Sequence, residues 1–151
     1  MKAQTTFSSP LGMLEITEED GALVSILFVS SSTPPTPPST PLLSKAKKEM
    51  EEYFRGERSS FTLPLSPKGT PFQKKVWEIT STIGYGETKS YGEIAEIMDS
   101  KAYRAIGSAL GANPLPIVIP CHRVKAKASI GGYSGGLDKK RMLLSIEGIK
   151  A

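Results

Sequence analysis

The one cysteine and the one histidine of this 151-residue chain are neighbours, Cys121 and His122, in the run Pro120-Cys121-His122-Arg123-Val124. A thiol has a reference pKa near 8.5, so roughly 3% is thiolate at neutral pH, and an attacking cysteine needs a base or a positive field beside it. The imidazole of His122 is such a base. Consecutive side chains of a straight strand point to opposite faces, so the two can cooperate only where the backbone bends. Pro120, which closes the apolar run Pro116-Ile117-Val118-Ile119, is a place for a bend. The competing reading is structural: free cysteine is among the most buried residue types, and the dipeptide alone also fits a small core residue beside a satisfied polar one.

Composition narrows the chemistry. One cysteine excludes an internal disulfide, and with one histidine it excludes a Cys/His zinc site. We expect no structural or catalytic zinc. A net charge of +4 permits a polyanionic partner without requiring one. The length suits one domain, or two small ones that share an interface. Met1 to Thr6 lacks the apolar core of a signal peptide, and no stretch approaches the roughly 18 apolar residues of a membrane span. The expectation is a soluble protein of a reducing compartment, the cytoplasm, with no membrane partner.

The elements that must position the pair follow from local signals. Leu14 and Ile16 alternate with polar residues, Ser9-Pro10-Leu11-Gly12 is turn-like, and Asp20-Gly21 is a hairpin signal ahead of Val24, Ile26 and Phe28. These predict an antiparallel meander over Thr5 to Val29. Ser30 to Pro41, with five prolines, reads as an extended exposed loop. From Leu42, apolar residues at 42, 46, 50, 53 and 54 predict a helix ending near Gly56, and its mixed charges, Glu49 among them, read as a solvated face. Phe61 to Leu65 is a candidate short strand.

Ser66-Pro67-Lys68-Gly69 reads as a boundary. After it, Thr70 and Pro71 start a helix with Phe72, Val76, Ile79 and Ile83 as its buried stripe and Trp77 as packing. Ser90-Tyr91-Gly92-Glu93 is a capping box for a helix to about Met98. A second helix over Ala102 to Leu110 completes a helix-turn-helix pattern. Gly107, Ser108 and Gly111 thin one face of that second helix, either for a phosphodiester backbone or for a neighbouring helix. Gly131 to Gly136 reads as a flexible loop, and Asp138 to Ile146 as a last helix.

Taken together, Asn113-Pro114-Leu115-Pro116-Ile117-Val118-Ile119-Pro120-Cys121-His122-Arg123-Val124 resembles the active-site signature of the O6-alkylguanine-DNA alkyltransferases, or methylated-DNA–protein-cysteine methyltransferases. Gly69-Thr70-Pro71-Phe72-Gln73, Val76-Trp77, Ser90-Tyr91, Arg104-Ala105-Ile106-Gly107, Tyr133-Ser134-Gly135-Gly136-Leu137 and Glu147-Gly148 extend the match, most densely from Gly69 to Gly148. The resemblance implies an α/β architecture. A ribonuclease H-like N-terminal domain (1-66, with the Pro-rich loop 30-41) is followed by a winged helix-turn-helix domain (67-151) that binds DNA and carries the catalytic residues.

Position by position, the resemblance makes Cys121 the alkyl acceptor and His122 its base through a bridging water. Glu147 orients the imidazole and Asn113 braces the turn. Tyr91 pushes the phosphate beside the lesion, Arg104 fills the space left by the extruded base, and Tyr133, Ser134 and Val124 belong to the base pocket. The implied partner is double-stranded DNA containing O6-alkylguanine, with O4-alkylthymine a further substrate to test. The DNA is bound from the minor groove by a monomer, and cooperative loading stays open. The implied reaction is irreversible transfer to the protein's own cysteine, one alkyl group per molecule, with no metal, nucleotide or organic cofactor. Two spacings, Tyr91 to Arg104 and Cys121 to Tyr133, are a residue shorter than in some members. Three rivals remain: a lesion sensor without transfer, in which the acceptor cysteine is usually replaced; a winged-helix regulator; and a Cys-His hydrolase, which would turn over.

Overall fold

The computed structural model describes residues 2–126, 130–133 and 135–149. The chain divides into two compact units, Met1–Pro67 and Lys68–Ala151. In the first, β1 (Lys2–Ser9), β2 (Gly12–Glu19) and β3 (Ala22–Phe28) form an antiparallel sheet in that order. Asp20 and Gly21 turn the second hairpin with φ of 52° and 83°, the two positive values that a type I′ turn requires.

One face of the sheet is apolar, with Phe7, Leu14, Ile16, Leu23 and Ile26 buried. Against it lies α1 (Pro41–Phe54), whose Leu43, Ala46, Met50 and Tyr53 are fully buried at helical spacing. The helix begins one residue earlier than its apolar pattern suggests. Thr40 caps it by accepting from Leu43 N at 3.1 Å, and Pro41 occupies the first turn, where a missing N–H costs nothing.

Two expectations for this unit need correction. Glu49 is buried, not solvated: its carboxylate accepts from Thr62 N at 2.9 Å and Thr62 Oγ1 at 2.6 Å, with Arg58 and Lys45 nearby. Those hydrogen bonds and charges hold its pKa below the ordinary value in spite of burial. Phe61 to Leu65 forms no strand. Only Leu65 bridges to Leu23, with Leu23 N donating to Pro64 O at 2.9 Å and Ser66 N to Leu23 O at 2.8 Å. The Pro-rich loop is mostly exposed, yet Thr36 bonds Thr5 and Thr6 on β1, covering part of an otherwise open sheet edge.

The second unit is mainly helical. α2 (Pro71–Thr80) starts in a full capping box, Thr70 with Gln73. Its buried residues are Val76, Trp77, Ile79 and Thr80. Phe72 is only half-buried, and Ile83 is buried from the turn beyond the helix. Trp77 packs as expected, its Nε1 donating to Ala109 O at 2.7 Å. The ring also explains Gly69: a Cβ there would lie 2.5 Å from Trp77 Cη2.

A two-residue strand, β4 (Lys89–Ser90), leads into α3 (Tyr91–Ile97) through the Ser90/Glu93 capping box. Asp99, at φ 50°, turns the chain toward α4 (Tyr103–Gly111). β5 (Val124–Lys125) pairs parallel with β4. The last helix, α5 (Leu137–Ile146), ends at Glu147 with Gly148 at φ 78°. Gly148 N bonds Ser145 O and Ile149 N bonds Leu144 O, the paired closure that favours glycine just past a helix end.

Candidate active site

Between α4 and the Cys-His pair the chain makes a buried turn, not a strand. Leu115, Ile117 and Ile119 are almost fully buried, and Ile119 N bonds back to Leu115 O at 2.8 Å. Ile117 sits at φ 77°. A β-branched residue there is an outlier, and holding it costs on the order of 1–3 kcal/mol that the surroundings must offset. Asn113 does much of the holding: Leu115 N donates to its Oδ1 and its Nδ2 donates to Ile119 O, each at 2.9 Å.

The chain then enters a single 3-10 turn, Cys121–Arg123. With three residues per turn, successive side chains project about 120° apart instead of to opposite faces. This is the bend that cooperation between Cys121 and His122 requires.

His122 is fully buried, and its Nε2 lies 2.6 Å from Glu147 Oε2. A carboxylate only accepts, so Nε2 carries the proton and Nδ1 of the neutral ring keeps the lone pair. Glu147 also takes a fork from Arg123, Nε to Oε1 at 2.8 Å and Nη2 to Oε2 at 3.1 Å, and accepts from Gly86 N at 3.1 Å. Arg123 Nη1 donates to Ile83 O at 2.7 Å. Burial pushes the His122 pKa below its ordinary value. The Arg123 and Lys140 charges add to that, and Glu147 opposes it. The ring is therefore held as a neutral base.

Cys121 is buried at the edge of a cavity of about 190 Å³ lined by Tyr91, Gly107, Leu110, Gly111, Gly132 and Tyr133. For scale, an engineered apolar cavity of about 150 Å³ admits benzene. The space suits one flat ring. Burial pushes the Cys121 thiol up, while a side-chain hydrogen bond with Asn113, the charge of Lys140 and a backbone N–H act downward. Burial, and secondarily the Cys121 charge, push the Tyr133 hydroxyl up strongly, which keeps it a protonated donor.

A Cβ added at Gly107 or Gly111 would meet nothing within 4 Å. Helix packing therefore does not demand these glycines, and the thin face of α4 opens toward the cavity and solvent. Arg104 is exposed on α4 and makes no ion pair among the described residues. Val124 is buried, and its carbonyl accepts from Lys140 Nζ at 2.6 Å.

The structure thus brings Cys121, His122, Asn113 and Glu147 together, with Tyr91 and Tyr133 on the cavity wall. Arg104 lies outside the cavity lining. Ser134 lies outside the described residues. No group of three or more His, Cys, Asp or Glu among the described residues is placed to share a metal ion.

Residues 3–67 match the family described as 6-O-methylguanine DNA methyltransferase, ribonuclease-like domain, and residues 71–149 match the DNA binding domain of the same family. The chain belongs to the 6-O-methylguanine DNA methyltransferase family. The constitutive methylated-DNA–protein-cysteine methyltransferase of Bacillus subtilis is 45% identical over 161 residues, covering 99% of this chain and 97% of that protein. A crystal structure of the Mycobacterium tuberculosis O6-methylguanine methyltransferase superposes with a TM-score of 0.87 at 37% identity, covering 97% of this chain and 93% of that one. The structure of the M. tuberculosis protein in complex with DNA gives 0.85 at 38%, with 97% and 94% covered. The architecture is accordingly the α/β one of the methyltransferase family, a ribonuclease-like domain followed by a winged helix-turn-helix DNA-binding domain.

Sequence reasoning missed two buried cations of this candidate site, Arg123 and Lys140. A signal for Lys140 was present: it shares a helical face with Leu143, Leu144 and Glu147, at i+3, i+4 and i+7. Arg123 carried none beyond its place next to His122.

Proposed function

We propose that this protein repairs DNA by moving a methyl or other alkyl group from O6 of guanine, and from O4 of thymine where that lesion fits, onto Cys121. The observation that carries the reading is the position of the chain's single thiol in a ring-sized cavity beside the thin face of α4. Family membership and the likeness to a relative solved with DNA support the partner, a duplex engaged from its minor groove by one copy of the protein.

The Cys121 thiolate attacks the alkyl carbon. An S–C bond forms, the C–O6 bond breaks, and its electron pair stays on the guanine. The thiol proton leaves through a bridging water to Nδ1 of His122, and one proton finally rests on the guanine ring nitrogen that the lesion had left bare. Glu147 fixes the imidazole tautomer and Asn113 the turn. Tyr133 and Ser134 donate to the leaving base, and the wall near Val124 holds its edge. Such donors act where charge develops. Extruding the base costs a few kcal/mol, less at a damaged pair; Tyr91 at the phosphate and Arg104 in the vacated stack offset it.

A thioether is a poor leaving group, so each molecule acts once. A thiol spent only once must stay reduced until it meets its lesion, which fits the cytoplasm. Among the described residues no helix is long and apolar enough to cross a membrane.

The test is intact mass after incubation with a duplex containing O6-methylguanine. One methyl group per protein, mapped to Cys121 and paired with restored guanine, is the expected result. An unchanged mass, a label on another residue, or many lesions cleared per molecule overturns the proposal.

A further inference from the structure

Lys140, on α5, is fully buried. Lysine is almost never fully buried unless paired, yet among the described residues the hydrogen-bond partners of this one are two carbonyls: Val124 O at 2.6 Å and Gly132 O at 2.9 Å. Val124 stands three residues past Cys121, and Gly132 lines the cavity beside Tyr133. The ammonium therefore ties the segment carrying the nucleophile to the loop that walls the pocket.

The buried charges of this unit point the same way. Among its described residues the buried charged or titratable polar groups are His122, Arg123, Lys140 and Glu147, with Cys121 beside them. Arg123 and Glu147 neutralise each other through their fork, and His122 is neutral. One positive charge is left over while Cys121 is a thiol. The balance closes when Cys121 becomes a thiolate.

We propose that Lys140 is a positioning residue for the transfer reaction, pinning the two segments that border the cavity and supplying the buried positive charge against which the Cys121 thiolate forms. The inference rests on the reading of Cys121 as the alkyl acceptor. The other titratable or charged groups around the sulfur do not supply that charge. Tyr133, from the loop, and Tyr91, from α3, are phenols, which cannot carry a positive charge; Glu147, at the end of α5, is engaged by His122 and Arg123. The mutual influence supports the geometry. Burial lowers the Lys140 pKa and Cys121 pulls it part of the way back, to about 8, while Lys140 pulls Cys121 down.

The experiment uses the full chain without DNA and reads the pH dependence of Cys121 carboxamidomethylation by iodoacetamide. Lys140→Met should move the midpoint up by at least about one pH unit, leaving roughly tenfold less thiolate at a pH below both midpoints. Lys140→Arg should recover more than half of that shift. A folded Lys140→Met protein with an unmoved midpoint overturns the proposal.

A second measurement needs no lysine variant. The Lys140 side-chain resonance is titrated by NMR in the wild-type protein and in Cys121→Ser. The midpoint should fall once the thiolate cannot form, and an identical midpoint overturns the proposal. Wild-type protein that gains methyl mass from DNA while these titrations stay unmoved refutes the role of Lys140 alone; wild-type protein that gains none refutes the acceptor reading beneath it.

Discussion

Glu147→Gln is the sharpest perturbation of the site, because it keeps the shape and removes the charge. The side chain is fully buried, and its two oxygens serve His122, Arg123 and Gly86. Arginine cannot shed its proton in a protein, so the amide leaves a buried guanidinium uncompensated and turns an NH2 group toward another donor. Breaking a buried pair from one side costs about 3–5 kcal/mol. At about 2–4 °C per kcal/mol for a chain of this size, thermal unfolding should drop by roughly 6–20 °C. Transfer should slow by about 10²–10⁴-fold, the usual worth of a positioned general base. Arg123→Met alone should also destabilise, and the double variant should fall short of the summed losses by about 0.5–3 kcal/mol. Stability should return in part while the rate does not. The assays are thermal and urea unfolding together with single-turnover methyl transfer. A Glu147→Gln protein melting within about 2 °C of wild type, less than about 1 kcal/mol, refutes the reasoning.

Arg104→Ala should leave unfolding within about 0.5 kcal/mol of wild type, since the side chain is exposed. It should weaken preference for lesion-bearing over intact duplex in an anisotropy competition, whereas Cys121→Ala should keep that preference and abolish transfer. Gly69→Ala should cost about 1–3 kcal/mol in urea unfolding, because the added Cβ would press on the Trp77 ring, which Ala109 O holds in place. Stability should also depend on pH through His122, whose folded pKa lies below its reference of 6.5. Between those two values the unfolded chain binds more protons, so stability rises with pH. The contribution is complete above 6.5 and is lost as pH falls through the window. Urea midpoints at a series of pH values should lose that slope in His122→Gln.

Much of the fold was legible because its signals are local. Thr70-Pro71, Ser90 with Glu93 and Asp20-Gly21 each act within four residues, and the structure uses all three as caps or turns. At the active site the place of the bend was legible, at Pro120 and in the turn that the resemblance gives Asn113 to brace, but its backbone was not, since Ile117 at φ 77° is held there by Asn113 and by burial, not by its own preference. Charged residues were the least legible. Glu49 reads as part of a solvated face, and no local signal gives Arg123 or Lys140 a partner; each finds its partners at a distance in sequence: Thr62 for Glu49, Ile83 and Glu147 for Arg123, Val124 for Lys140. A periodic pattern records which face is apolar, but not which polar residue on that face will be satisfied.

The same network explains why fold and chemistry separate at some positions and not at others. Glu147 joins the turn after α2 through Gly86, the Cys121–Arg123 turn through His122 and Arg123, and the end of α5 through its own backbone. Removing its charge therefore loosens three segments and misdirects a base in one step. Arg104 touches none of them. A rate lost there with stability intact reports on the encounter with DNA, whereas a rate lost at Glu147 becomes interpretable only when Arg123 is changed with it, because that pair isolates the base from the scaffold that holds it.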